Sequence, residues 1–131
     1  MFSLFKKKQP ATESDFAVKG KVSVWIGDFD SEDALLDYVE SDDGCGEDFG
    51  CVLRDRRELS VETQPRPVSE LLQGFSWSRE FIDEIVAQAG AGTQARCAVV
   101  SYASDYRLLG VTPKATARLR FIGVASFGET P

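Results

Sequence analysis

The chain has 131 residues, of which 43% are hydrophobic and 11% aromatic, with a formal net charge of −6. That is one domain's worth of chain, long enough to bury a core without staples and too apolar to stay disordered. No apolar run approaches the roughly 20 residues of a membrane span. The acidic balance argues against direct nucleic-acid binding, which draws on Lys and Arg at the phosphates.

Phe2, Leu4 and Phe5 precede Lys6, Lys7 and Lys8, the reverse of a secretory signal. Residues 1–17 therefore read as a flexible N-terminal tail of a cytoplasmic protein, and 18–131 as a single domain. Cys45, Cys51 and Cys97 are an odd count, unlike a disulfide framework. With no histidine, and five residues between Cys45 and Cys51, they fit no usual zinc spacing. They read as reduced structural residues, and neither a metal nor a cofactor is expected.

Val22, Val24 and Ile26 alternate with Ser23 and Trp25, the period of a half-buried strand, which Gly27 stops. Asp30 or Ser31 then caps a helix with an apolar stripe of Ala34, Leu35, Tyr38 and Val39, ending near Ser41. Asp42 to Asp48 reads as an acidic loop. Phe49, Cys51 and Leu53 suggest a second strand, and Leu59 and Val61 a third, short one. Pro67 starts a short helix through Val68, Leu71 and Leu72, ended by Gly74.

The clearest helix is capped by Ser78 and carries Phe81, Ile82, Ile85, Val86 and Ala89 on one stripe, with Gly90 at its end. Two strands follow. Ala95 to Ala103 places Cys97 and Val99 on one face and Ala98, Val100 and Tyr102 on the other. Ala117 to Phe127 places Leu119, Phe121, Ala125 and Phe127 on one face, with Arg118, Arg120 and Ser126 on a solvated side. The link between them is too short for a parallel crossover, so they pair antiparallel. The expected fold is α+β: a mixed or mainly antiparallel sheet of about four to five strands, with two to three helices packed on one face.

The residues offer little chemistry. Without histidine, a Ser–His or Cys–His nucleophile pair cannot form. Asp28 to Glu32 begins like a calcium loop, but Asp33 stands where glycine is needed and Val39 where the final glutamate is needed. No Gly-Lys-Ser or Gly-Lys-Thr follows Gly44 and Gly46, so they form no phosphate loop. A carboxylate-only enzyme stays possible, with no spacing in its favour.

Charge is distributed unevenly. Between Lys21 and Arg54 lie ten acids and no base, so against a total of −6 the rest of the chain stands at +4. Two readings stay open: ordinary solubilising charge, or a docking surface for a basic partner. The second nominates Asp37, Glu40, Asp42, Asp43, Glu47 and Asp48 as contacts.

Val22-Ser23-Val24-Trp25-Ile26-Gly27, the helix closing on Leu36-Asp37-Tyr38-Val39-Glu40, and the final Leu119 to Phe127 strand together resemble the bacterial immunity protein 22 family of polymorphic toxin systems. Asp48-Phe49-Gly50 and the Ser76 to Phe81 helix start fit in order, so the resemblance spans about residues 20–127. It departs from the family pattern at Arg54 to Glu58 and at Tyr102 to Tyr106. It implies a non-enzymatic protein that binds a cognate toxin domain and neutralises it by occlusion. Trp25, Gly27, Phe121 and Gly123 match as fold residues. The alternative is a regulatory interaction module, or a nucleic-acid mimic binding a basic protein.

Overall fold

The computed structural model describes residues 9–128. The expectations placed on Phe2 to Lys8 lie outside the described residues. In chain order the elements are β1 (Ala17–Gly27), α1 (Glu32–Glu40), α2 (Cys45–Phe49), β2 (Arg57–Pro67), α3 (Val68–Leu71), α4 (Ser78–Ala89), β3 (Gln94–Ser104) and β4 (Leu119–Ser126). The four strands form one antiparallel sheet in the order β2-β3-β1-β4. The fold is α+β.

Helices cover both faces of the sheet, not one as expected. Trp25, Leu35, Val39, Phe49, Leu53, Val99 and Tyr106 belong to the core under α1 and α2. Val22, Val24, Ile26, Leu72, Phe81, Ile85 and Val100 belong to a second core under α3 and α4. Central strand β1 is thus buried on both sides, and Trp25 is fully enclosed, with the Tyr106 and Phe121 rings 5.4 and 5.2 Å away. Alternation alone cannot separate a half-buried strand from one whose second face carries Ser23 and Trp25.

The domain begins earlier than residue 18. A 3₁₀ turn at Glu13–Phe16 precedes β1, and both Glu13 and Phe16 are buried. Ala11 pairs with Cys51 in a single parallel bridge. That bridge also explains why Phe49 to Leu53 forms no strand. Val52 N–H donates to Ala11 C=O and Leu53 N–H to Val39 C=O, so the segment is held by separate partners instead of a ladder. The stretch from Asp42 to Asp48, expected as a loop, instead runs into α2, which closes on Gly50 in the left-handed region at φ 78°.

Ser31 caps α1, its Oγ accepting the Ala34 N–H at 3.1 Å. The α4 cap differs from expectation. Trp77 holds the cap position at φ 64°, while Ser78 turns its hydroxyl back to donate to the Gln73 carbonyl at 3.0 Å. β4 departs from strict alternation because of a bulge. Val24 pairs with Gly123 but Trp25 with Phe121, leaving Ile122 as the extra residue. Leu119 and Phe121 therefore join the Trp25 core, while Ala125 and Phe127 join the α4 side. Arg120 is drawn to α4, donating from Nη2 to the Ala89 carbonyl at 3.1 Å. Arg118 stacks on Phe29 with 4.0 Å from its guanidinium carbon to the ring centre.

Candidate interaction surface

Strand β2 is an edge of the sheet, and α1 lies against it. A cleft of about 610 Å³ runs along that edge, with Leu36 of α1 on one side and Leu71 and Phe75 on the other. Its lining carries one arginine, Arg57, against three glutamates, Glu58, Glu62 and Glu70. Burial would raise the Glu58 carboxyl. Hydrogen bonds from the Ser76 hydroxyl (2.6 Å), the Ser76 N–H (2.9 Å) and the Tyr102 hydroxyl (3.0 Å) outweigh that and hold it below its usual value. Glu58 stays ionised near neutral pH.

The six nominated acids divide between two places. Asp37 and Glu40 lie on α1 beside the cleft. Helical spacing puts Asp33 and Glu40 next to Leu36, three residues before it and four after. Asp42, Asp43, Glu47 and Asp48 gather around α2. Most of the six have local duties. Glu40 pairs with Arg57, and its carbonyl accepts from Arg54 at 3.1 Å. Asp42 lies 3.9 Å from Arg54, and Glu47 lies 2.9 Å from Lys114. The Asp43 N–H is held by Ser41 Oγ at 3.1 Å.

Asp48 is a structural acceptor. It takes the Tyr38 hydroxyl at 2.6 Å and the Arg118 N–H at 3.2 Å. Burial, then the bond to this carboxylate, push the Tyr38 hydroxyl well above its usual range. Among the described residues no ion pair reaches Glu32, Asp33 or Asp37, all exposed on α1. On α1 these three carboxylates have no ion pair among the described residues, whereas in the loop Asp42 and Glu47 each have a basic neighbour.

Sequence reasoning missed Trp77. It is 54% exposed, stands one residue beyond Ser76 of the cleft, and meets Phe127 edge-on at 6.0 Å. A non-glycine residue at positive φ is strained, and such strain gathers at functional positions. Tryptophan is also the residue most enriched at binding hot spots. The Ser-Trp-Ser setting reads only as a helix start, because exposure cannot be read from a side chain so apolar. Among the described residues no group of three or more His, Cys, Asp or Glu is placed to hold a metal ion, and no helix is long and apolar enough to cross a membrane. No family model matches the chain, and no curated protein or solved structure matches it.

Proposed function

We propose that this chain is an immunity protein that binds a bacterial toxin domain and blocks it sterically, without catalysis. The observation that carries the reading is the acidic face of α1, Glu32, Asp33 and Asp37, which has no ion pair among the described residues and lies beside the open β2 edge. Exposed like charges so close together cost stability by a few tenths of a kcal/mol per pair. They supply the long-range field that speeds encounter with a basic surface. The resemblance of the opening strand, first helix and last strand to immunity protein 22 supplies the kind of partner.

The test is a titration of the purified protein against the toxin domain encoded beside it, at low and moderate salt. Nanomolar binding that weakens with salt is the expected result. Absence of binding at low salt would remove the reading. Competition by DNA for the same partner would point instead to nucleic-acid mimicry.

A further inference from the structure

The backbone of β2 has one side in use and one side open. Tyr102 N–H donates to the Arg56 carbonyl at 2.8 Å, and β2 runs in register with β3 from Arg57 opposite Ser101 to Val61 opposite Cys97. In an antiparallel ladder the inward-facing residues alternate. Glu58 and Ser60 therefore turn their N–H and C=O groups to β3, while Arg57, Leu59 and Val61 turn theirs outward. Among the described residues no loop or helix hydrogen bond reaches those outward groups. After Val61 the register shifts, and Pro65 follows, so the regular open edge is confined to Arg57–Val61. Exposed edges of this kind are usually blunted, because they template pairing with another strand.

We infer that this edge is the docking line of the proposed function: an extended, lysine- or arginine-bearing segment of the partner protein adds to β2 as a fifth strand. The inference rests on the binding reading above and names its mode. Three observations select the occupant. The open N–H and C=O groups at every second residue match an extended backbone and not a helix. A strand laid there alternates its side chains between the Leu36 wall and the Leu71–Phe75 wall, so apolar residues fit both sides. Arg57 in the lining and Arg66, 3.6 Å from Glu62 and 3.8 Å from Glu70, stand against Glu58, Glu62 and Glu70 and against Asp33 on the adjoining helix; the balance is still acidic and favours basic residues among them. The same charge disfavours a second copy of this chain, since two such edges would bring like charges face to face.

The experiment uses the labelled full chain and a defined probe, an octapeptide of alternating lysine and valine. A version with proline at its centre and a glutamate–valine counterpart are the controls. Amide signals and hydrogen exchange of β2 are followed through the titration. The expected result is protection of the outward amides of Arg57, Leu59 and Val61 by the lysine peptide. Glu58 and Ser60, already bonded to β3, should change little, and both controls should be at least tenfold weaker. Equal response to the glutamate peptide, shifts confined to other surfaces, or no protection of the three amides at millimolar peptide would overturn the inference.

The toxin-domain titration separates the two readings. A toxin domain that binds while Arg57, Leu59 and Val61 still exchange freely overturns strand addition and leaves immunity standing. Protection by the peptide with no toxin binding does the reverse. Substituting Leu36→Lys, on the helix wall and away from the sheet bonds, removes apolar wall and adds like charge, so it should weaken the lysine peptide at least fivefold if the segment lies where we place it.

Discussion

The Glu13 carboxylate accepts the backbone N–H of Arg56 at 2.9 Å, forty-three residues further along the chain. The same carboxylate takes the N–H groups of Arg54 at 2.9 Å and Asp55 at 3.1 Å. One buried side chain thereby satisfies three successive donors on the approach to the β2 edge.

Removing it should loosen that approach. Glu13→Ala leaves three N–H groups with poorer partners, and charge-assisted bonds of this kind contribute about 1.5–3 kcal/mol. The expected loss is about 2 kcal/mol of unfolding free energy in urea. Amide exchange should rise at Arg54 to Arg56 before it rises in β1. A variant as stable as the parent would show that water replaces the carboxylate at no cost.

This anchor also marks where the sequence becomes hard to read. Helices α1, α3 and α4 and the two long C-terminal strands are legible because their apolar residues repeat at 3.6 or 2, as in Phe81, Ile85 and Ala89 or in Cys97 and Val99, whereas α2 lies in a stretch too short and acidic to show a period. Glu13 sits in a polar stretch, and its role depends on a partner segment over forty residues away. The β4 bulge is invisible for a related reason: an extra residue at Ile122 flips every later side chain, and periodicity assumes that none is inserted. Of the candidate site, the acidic run from Asp37 to Asp48 was legible from charge alone. Which of its acids are already paired was not, because Arg57 and Lys114 reach Glu40 and Glu47 only through tertiary structure.

Two glycines in the shared motifs should respond differently to the same substitution. A β-carbon on Gly27 would stand 2.5 Å from the buried Leu119 Cδ2 and 3.1 Å from the Arg118 carbonyl. Backbone cannot yield there, so Gly27→Ala should cost about 1–3 kcal/mol by overpacking. On Gly123 the new atom meets only the end of the Gln88 side chain, which donates to Val124 C=O at 2.9 Å and can swing outward. Losing that bond, about 1 kcal/mol, is offset by the better strand propensity of alanine, so Gly123→Ala should fall within about 1 kcal/mol of the parent. Thermal unfolding of the two variants side by side checks the ranking, and the reverse order would refute it.

Stability should fail on the alkaline side in two stages. The thiols of Cys45, through its bond to Cys51 and burial, and of Cys97, through burial, are pushed above their ordinary values. Burial does the same to the hydroxyls of Tyr38, Tyr102 and Tyr106. A group whose folded-state pKa is raised gives its full stabilisation below the unfolded value and loses it as pH climbs from there toward the folded value. The unfolded values are about 8.5 for cysteine and about 10 for tyrosine. Urea midpoints should therefore hold level from pH 7 to 8, fall gently above about 8.5, and fall steeply above about 10. Replacing Cys45 and Cys97 by alanine lowers the baseline by leaving cavities but should abolish the first decline. Midpoints that stay level to pH 10.5 would contradict the burial assigned to these groups.

Asp37 and Asp48 separate charge from structure within the same acidic stretch. Asp37 is exposed, with no ion pair among the described residues, whereas Asp48 is half-buried and holds Tyr38 and Arg118 N–H. Asp37→Lys should leave stability within about 0.5 kcal/mol, as surface changes usually do. It should slow association with the basic partner several-fold at low salt, with the dissociation rate little altered. The effect should shrink as added salt shortens the screening length from about 30 Å at 0.01 M to about 8 Å at 0.15 M. Asp48→Asn should behave in the opposite way. It weakens a charge-assisted bond and should cost about 1–2 kcal/mol of stability, while association at a temperature where the protein stays folded changes far less than for Asp37→Lys. Measured association rates at the two salt levels, beside urea unfolding of each variant, decide the matter. If Asp48→Asn slows encounter more than Asp37→Lys does, the docking field lies at α2 and the face of α1 is ordinary solvated charge.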